Sequence, residues 1–170
     1  LGPEVIIPPT SGFYHLFAKL YAFTRDFYRQ LPERKNGEIT FIHPVNVMYF
    51  LRQAETKGKR VDDIALAAGL LHDYVEESVD IYRQKKSLQL EGSDLRLLDQ
   101  QEKASIQELQ QKIEQFCLGT GISPQQRKDL LATVALLTRH KQHSYYVYLS
   151  VIFNTQQKKN KERAIHVKLA

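Results

Sequence analysis

Apolar residues recur every three or four positions along most of this chain, the spacing that places them on one face of an α-helix. The pattern predicts successive helices over residues 13–31, 44–58, 62–71, 106–116 and 124–137. Serine, aspartate or proline stands near the start of several of these segments, and proline or glycine follows most of them. The sequence therefore predicts an all-α fold, a compact bundle of several helices.

Three other segments need separate treatment. Residues 1–12 are rich in proline and glycine and are predicted to form an extended lead-in. Residues 145–153 are aromatic and β-branched enough for a strand, but no second strand is available to pair with them, so a helix is preferred. Residues 161–170 have a helical pattern that runs to Ala170 with no cap or breaker. We expect one domain over 1–170, with a C-terminus that is truncated or disordered.

Composition restricts the setting of the protein. Of the 170 residues only Cys117 is a cysteine, so no internal disulfide can form, and the N-terminus lacks a signal pattern. We therefore expect a reducing, cytoplasmic environment. The apolar runs are too short to span a bilayer. The net charge of +5 favours an anionic partner, either a phosphorylated small molecule or a nucleic acid. No known nucleic-acid-binding motif is present, which makes nucleic acid the less favoured partner.

The residue types that carry chemistry are concentrated in the segment GLLHDYVEES. Because positions i and i+4 share a helix face, His72 is expected beside Glu76 and Asp73 beside Glu77. Placing so many ionisable groups beside an apolar run costs free energy unless a cation lies among them. Mixed imidazole and carboxylate ligands suit a divalent metal. The alternative is a chance His-Asp pair followed by an ordinary solvated helix end.

The order of several short motifs resembles that of HD-domain phosphohydrolases. They are FIHPVNV around His43, AAGLLHDYVEES around His72 and Asp73, and AIHVKLA at the end of the chain. More narrowly, RKNGEITFIHP, LLHDYVEES and VKLA are similar to the hydrolase domain of RelA/SpoT-type enzymes, which remove pyrophosphate from the 3' position of (p)ppGpp. The resemblance extends from about Tyr21 to Ala170.

The resemblance implies roles for five residues of the predicted site. His43, His72 and Asp73 correspond to ligands of a divalent metal, with manganese as the expected ion. Glu76 and Glu77 correspond to the acidic pair that positions and deprotonates the attacking water. The family usually has Glu-Asp at these two positions, so Glu77 is one methylene longer than the pattern.

The resemblance also implies a nucleotide pocket. Arg34, Lys35 and Asn36 correspond to a basic turn that lines this pocket, with the arginine packed on guanine. The alternative for this turn is a flexible, exposed loop. Tyr145 and its aromatic neighbours can line the nucleotide pocket or can pack in the core. His140 and His143 can form a second metal pair or stay on the surface.

One feature of the family pattern is missing from the printed sequence. In the family an aspartate, the fourth metal ligand, follows the VKLA-like stretch, and this sequence ends at Ala170. The resemblance therefore leaves three ligands, which predicts weakened metal binding or an empty site. Two interpretations stay open at this point: a guanosine polyphosphate hydrolase, or a degenerate HD domain that binds a nucleotide or regulates a partner.

Overall fold

The computed structural model describes residues 2–58 and 60–170. These residues form α-helices and one short 3-10 turn, Pro3–Val5, with no strand among them. The helices are α1 (Tyr14–Tyr28), α2 (Ile42–Thr56), α3 (Asp63–Leu71), α4 (Tyr74–Lys86), α5 (Gly92–Cys117), α6 (Pro124–Leu137), α7 (Tyr145–Asn154) and α8 (Lys158–Leu169). The predicted all-α fold is confirmed, and so is the preference for a helix over residues 145–153.

Helix α3 is the centre of the bundle. Every residue from Ile64 to Leu71 is buried, because this apolar run packs against α1, α2, α6 and α8. Its first turn is capped by Asp62, whose carboxylate accepts a hydrogen bond of 2.9 Å from the backbone N–H of Ala65. A helix buried on all sides has no solvent face of its own. The polar side chains that follow it must therefore lie where α3 leaves the core.

Helices α2 and α3 approach each other closely at Gly69. A Cβ atom at this position would lie 3.0 Å from Leu51 Cδ1 and 3.4 Å from Val47 Cγ1, both on α2. The missing side chain lets the two helix backbones pack at short range. This contact fixes the start of α2 relative to the end of α3.

The N-terminal lead-in was predicted to be extended, and this is wrong. The chain forms the turn Pro3–Val5 and then buries Ile6 and Ile7 completely in the core. The Nε atom of Arg52 donates a hydrogen bond of 2.6 Å to the carbonyl of Ile6. Ile6 and Ile7 therefore contribute to the hydrophobic core, whereas Val5 before them is exposed.

The longest helix, α5, is polar over much of its length and packs against α4, α1 and α6. Among residues 2–58 and 60–170, no helix combines the length and the apolar character needed to cross a membrane.

Candidate metal centre

His72 and Asp73 lie at a corner between two helices. Helix α3 ends at Leu71 and α4 begins at Tyr74, so the His-Asp pair does not belong to a single helix as its spacing suggested. The expected relation of Asp73 to Glu77 is nevertheless present, because the Glu77 N–H donates a 2.9 Å hydrogen bond to the Asp73 carbonyl. The corner brings the buried end of α3 and the acidic start of α4 to the same place.

The side chain of His43, from the first turn of α2, meets this corner. Its Nε2 atom lies 3.1 Å from His72 Nε2 and 3.1 Å from Asp73 Oδ2. The distance from His72 Nε2 to Asp73 Oδ2 is also 3.1 Å. The three donor atoms therefore form an equilateral triangle, and the convergence expected from the sequence order is present in the fold.

The tautomer of His72 leaves a lone pair pointing into this triangle. Its Nδ1 atom lies 2.6 Å from the carbonyl oxygen of Gly69, which can only accept, so Nδ1 carries the hydrogen. In a neutral imidazole, Nε2 is then an acceptor that faces the carboxylate of Asp73 and the ring nitrogen of His43. Such acceptors repel one another unless a proton or a metal cation lies between them.

The ionisation of the triad responds to this crowding. Burial acts to raise the pKa of Asp73, but hydrogen bonds from His43 and His72 outweigh it and hold that pKa well below its usual range. Burial acts to lower the pKa of His72, and the hydrogen bond and negative charge of Asp73 outweigh it and raise the pKa. A positive charge in the triad, such as a proton on an imidazole, is therefore favoured by the ionised Asp73.

The spacing and chemistry of the donors fit a divalent metal. Three atoms 3.1 Å apart match one face of an octahedron whose centre is about 2.2 Å from each vertex, the edge divided by √2. A tetrahedral ion with the same edges would need bonds of about 1.9 Å, shorter than usual zinc–nitrogen bonds. The hydrogen bond from His72 to Gly69 is the kind of outer contact that orients a metal-binding imidazole.

Both members of the acidic pair lie beside the triad. Glu76 Oε1 accepts a hydrogen bond of 2.6 Å from the backbone N–H of Arg139. Burial, followed by the charge of Asp73, raises the pKa of Glu76 against the opposing effect of that hydrogen bond. Burial and the charges of Asp73 and Asp80 raise the pKa of Glu77. Both carboxylates therefore accept protons more readily than an ordinary glutamate does.

The basic turn lies at the surface. Arg34, Lys35 and Asn36 are all exposed, and the turn is closed by a 2.8 Å hydrogen bond from the Arg34 N–H to the Glu38 carbonyl. The Asn36 amide donates to the Glu38 carboxylate at 2.9 Å, so its hydrogen bonding stays within its own turn. Of these three residues, Arg34 is the one whose charge acts on Tyr28, and it lowers the pKa of that phenol.

Tyr28 is a residue of the site that the sequence did not indicate. Its ring is buried, and its hydroxyl has no hydrogen-bond partner among the described residues. Burial, then the charges of Asp73 and Glu77, raise the pKa of this phenol, while Arg34 opposes them. The hydroxyl is therefore a neutral donor within electrostatic range of the carboxylates of the site and of Arg34 in the basic turn.

Lys168 lies against the aromatic pair Tyr145 and Tyr148, within electrostatic range of the triad. Tyr148 is buried and its hydroxyl donates to the Leu137 carbonyl at 2.9 Å, whereas Tyr145 is exposed. The Lys168 ammonium lies 5.0 Å from the Tyr148 ring centroid and 5.7 Å from that of Tyr145, within cation–π range. Its charge also acts to lower the pKa of His72.

His140 and His143 lie side by side, and His140 has an acidic partner. Their rings make an edge contact with centroids 4.8 Å apart, but the His140 Nδ1 atom pairs with the buried carboxylate of Glu102. The donor atoms that come together here belong to Asp99, Glu102 and His140, all within 4.8 Å of one another. Neither interpretation of this histidine pair from the sequence included Glu102 as the partner of His140.

Comparisons of the chain with models of protein families, with curated proteins and with solved structures found no match.

Proposed function

We propose that this chain is a metal-dependent phosphohydrolase of the HD type. The single observation that carries the proposal is the triangle of donor atoms from His43, His72 and Asp73, with edges of 3.1 Å. The favoured reaction is removal of the 3'-pyrophosphate from a guanosine polyphosphate such as ppGpp. This choice of substrate is supported by the resemblance of the motifs around these residues and by the basic turn at Arg34 and Lys35.

His43, His72 and Asp73 are the residues that would hold the cation, with manganese as the favoured ion. A divalent metal at such a site lowers the pKa of water and offsets negative charge on a phosphate group. The protein contributes a fixed imidazole through the bond from His72 to Gly69, and a carboxylate that stays ionised because its pKa is depressed.

Glu76 and Glu77 are the proposed proton acceptors. Hydrolysis adds a water oxygen to phosphorus, breaks the bond to the 3' oxygen and releases pyrophosphate, so one proton leaves the water and one must reach the 3' oxygen. A general base works best when its pKa is near the working pH. The burial that raises the pKa of both glutamates moves them in that direction.

Cations and hydroxyls around the triad suit a phosphorylated substrate. Lys168 holds its ammonium near His72 on the faces of Tyr145 and Tyr148, where a phosphate oxygen can replace water as its partner. The Tyr28 hydroxyl is buried without a partner in the described part of the protein, and it would donate to a substrate oxygen only after the residues that cover it move. Arg34 carries a planar guanidinium suited to stacking on a base or to binding a phosphate oxygen.

The proposal is tested by incubating the protein with ppGpp and manganese and measuring pyrophosphate release. We expect release that requires the metal, that is lost in His72→Ala and Asp73→Ala, and that falls by about 10²- to 10⁴-fold in Glu77→Gln. The exposed His15, on α1, provides a matched control, His15→Ala, that retains activity. Tight nucleotide binding without pyrophosphate release, in the presence of bound manganese, would instead support a regulatory binding module.

A further inference from the structure

Three consecutive residues between α6 and α7 are each fastened to a different acidic side chain. The backbone N–H of Arg139 donates to Glu76 Oε1 at 2.6 Å. His140 pairs through Nδ1 with Glu102 on α5, and Lys141 Nζ lies 2.8 Å from Asp80 Oδ1 on α4. The segment Arg139–Lys141, called the clamp here, thus joins two helices at the edge of the candidate metal centre.

The central contact of the clamp is the buried one. The side chain of Glu102 is only 4% exposed, whereas that of His140 is 45% exposed. A buried carboxylate needs a partner, because leaving it unpaired is far more costly than leaving an exposed ion pair unmade. The Lys141–Asp80 pair is half-buried, with side chains 15% and 38% exposed, so it restrains the clamp as well, but only the Glu102–His140 pair contains a buried carboxylate.

The orientation of Glu76 depends on the position of that backbone. The Arg139 N–H is the hydrogen-bond donor that contacts the Glu76 carboxylate in the described structure, and it is adjacent in sequence to His140. A side chain with three rotatable bonds that loses this hydrogen bond samples other rotamers. No side-chain hydrogen bond is described for the neighbouring Glu77, on which Lys141 of the clamp acts through its charge, so a shift of the clamp changes the hydrogen bonding of Glu76.

We infer that Glu102 and His140 are positioning residues that set the orientation of the Glu76 carboxylate through the backbone amide of Arg139. The inference rests on the proposed function for its effect on catalysis, but the structural link holds independently of the substrate. Because no described contact joins the pair to His43, His72 or Asp73, breaking it should leave metal binding at the triad intact and lower the chemical rate.

The experiment compares Glu102→Gln and His140→Ala with the wild-type protein, each as the full chain. The first readout is hydrogen exchange of the Arg139 amide, followed by NMR; the second is kcat and KM for ppGpp; the third is the affinity for manganese. Glu114→Gln is the matched control, because it removes the 2.9 Å pair with Arg127 from the same helix, α5, about three turns beyond Glu102. His140→Lys keeps a cation opposite Glu102 and serves as the rescue variant.

We expect faster exchange of the Arg139 amide, a fall in kcat of about tenfold to a hundredfold, and unchanged KM and manganese affinity in both clamp variants. The control should match the wild type, and His140→Lys should recover part of kcat. Unchanged protection of the Arg139 amide in His140→Ala would overturn the inference, and so would equal loss of kcat in the Glu114→Gln control. If the wild-type protein releases no pyrophosphate, the proposed function fails, and amide exchange still decides whether the clamp holds Glu76.

Discussion

The Nε2 atoms of His43 and His72 lie 3.1 Å apart, although 29 positions separate the two residues in the sequence. One histidine is in the first turn of α2 and the other follows the last residue of α3. Their contact is possible because α2 packs directly on Gly69 of α3. The geometry of the candidate metal centre thus depends on core packing one turn away from it.

Substitutions at Gly69 should change both the packing of α2 on α3 and the binding of the metal. Gly69→Val places methyl groups against Leu51 and Val47, and we expect a loss of about 1–3 kcal/mol in the free energy of unfolding together with weaker manganese binding. Gly69→Ala is the matched control, because the gain in helix propensity of about 1 kcal/mol offsets a tight contact at 3.0 Å. Denaturant unfolding and calorimetric titration measure the two effects. A destabilised Gly69→Val protein with wild-type manganese affinity would show that the packing and the site are independent.

Manganese binding should weaken as the pH falls. The pKa of His72 is raised above its ordinary 6.5 despite burial, because Asp73 stabilises the imidazolium. A raised folded-state pKa contributes stability that is present below 6.5 and lost as the pH rises through the folded value. The metal needs the unprotonated nitrogen, so the stability that metal binding adds increases as the pH rises. We expect the rise in Tm on adding manganese to grow from about pH 5 to about pH 8. A rise that is constant over this range would contradict the assignment of His72 as a ligand.

Tyr28→Phe should separate stability from activity. The hydroxyl of Tyr28 is buried without a partner in the described structure, so its removal should leave the free energy of unfolding unchanged or slightly increased. If the hydroxyl donates to a substrate oxygen, KM for ppGpp should rise by about threefold to tenfold, which corresponds to one neutral hydrogen bond. Thermal unfolding and steady-state kinetics provide the two values. A large loss of stability would mean that the hydroxyl has a structural partner.

Lys168→Gln should weaken substrate binding but not metal binding. Removing the ammonium removes a cation that acts on His72, so manganese affinity should stay the same or increase slightly. The KM for ppGpp should rise by about tenfold because a charge-assisted contact to phosphate is lost. Lys128→Gln, an exposed lysine on α6, is the control for a general loss of positive charge. Equal changes in both variants would show that net charge, and not the position of Lys168, is responsible.

The parts of the fold that follow from local pattern were predicted from the sequence. The apolar run of α3 is where the pattern placed it. Helix α6 begins at Pro124 as predicted, and Ser123 before it forms a capping box with Gln126. The choice of a helix for Tyr145–Asn154 succeeded because it used the absence of a pairing strand rather than residue propensity alone.

The parts that depend on tertiary contacts were not predictable in this way. The corner at His72 and Asp73 has no glycine or proline to mark it, and the pattern continues smoothly across it. Glu102 has the sequence surroundings of a solvated helix residue, yet packing against the clamp buries it. The contact of Arg139 with Glu76 joins residues 63 positions apart. It uses a backbone amide, so the residue type at position 139 does not indicate it. The same holds for Tyr28, whose buried hydroxyl stands out only because no other described residue pairs with it.

The most direct test of the account is a calorimetric titration of the metal-free protein with manganese, comparing the wild type with His43→Ala. His43 comes from a different helix than the His-Asp pair, so its removal tests the convergence of the three donors and not the pair alone. We expect the wild type to bind one manganese ion per chain and His43→Ala to lose this binding. The His15→Ala control should bind manganese as the wild type does. Equal manganese affinity in His43→Ala and the wild type would contradict the account.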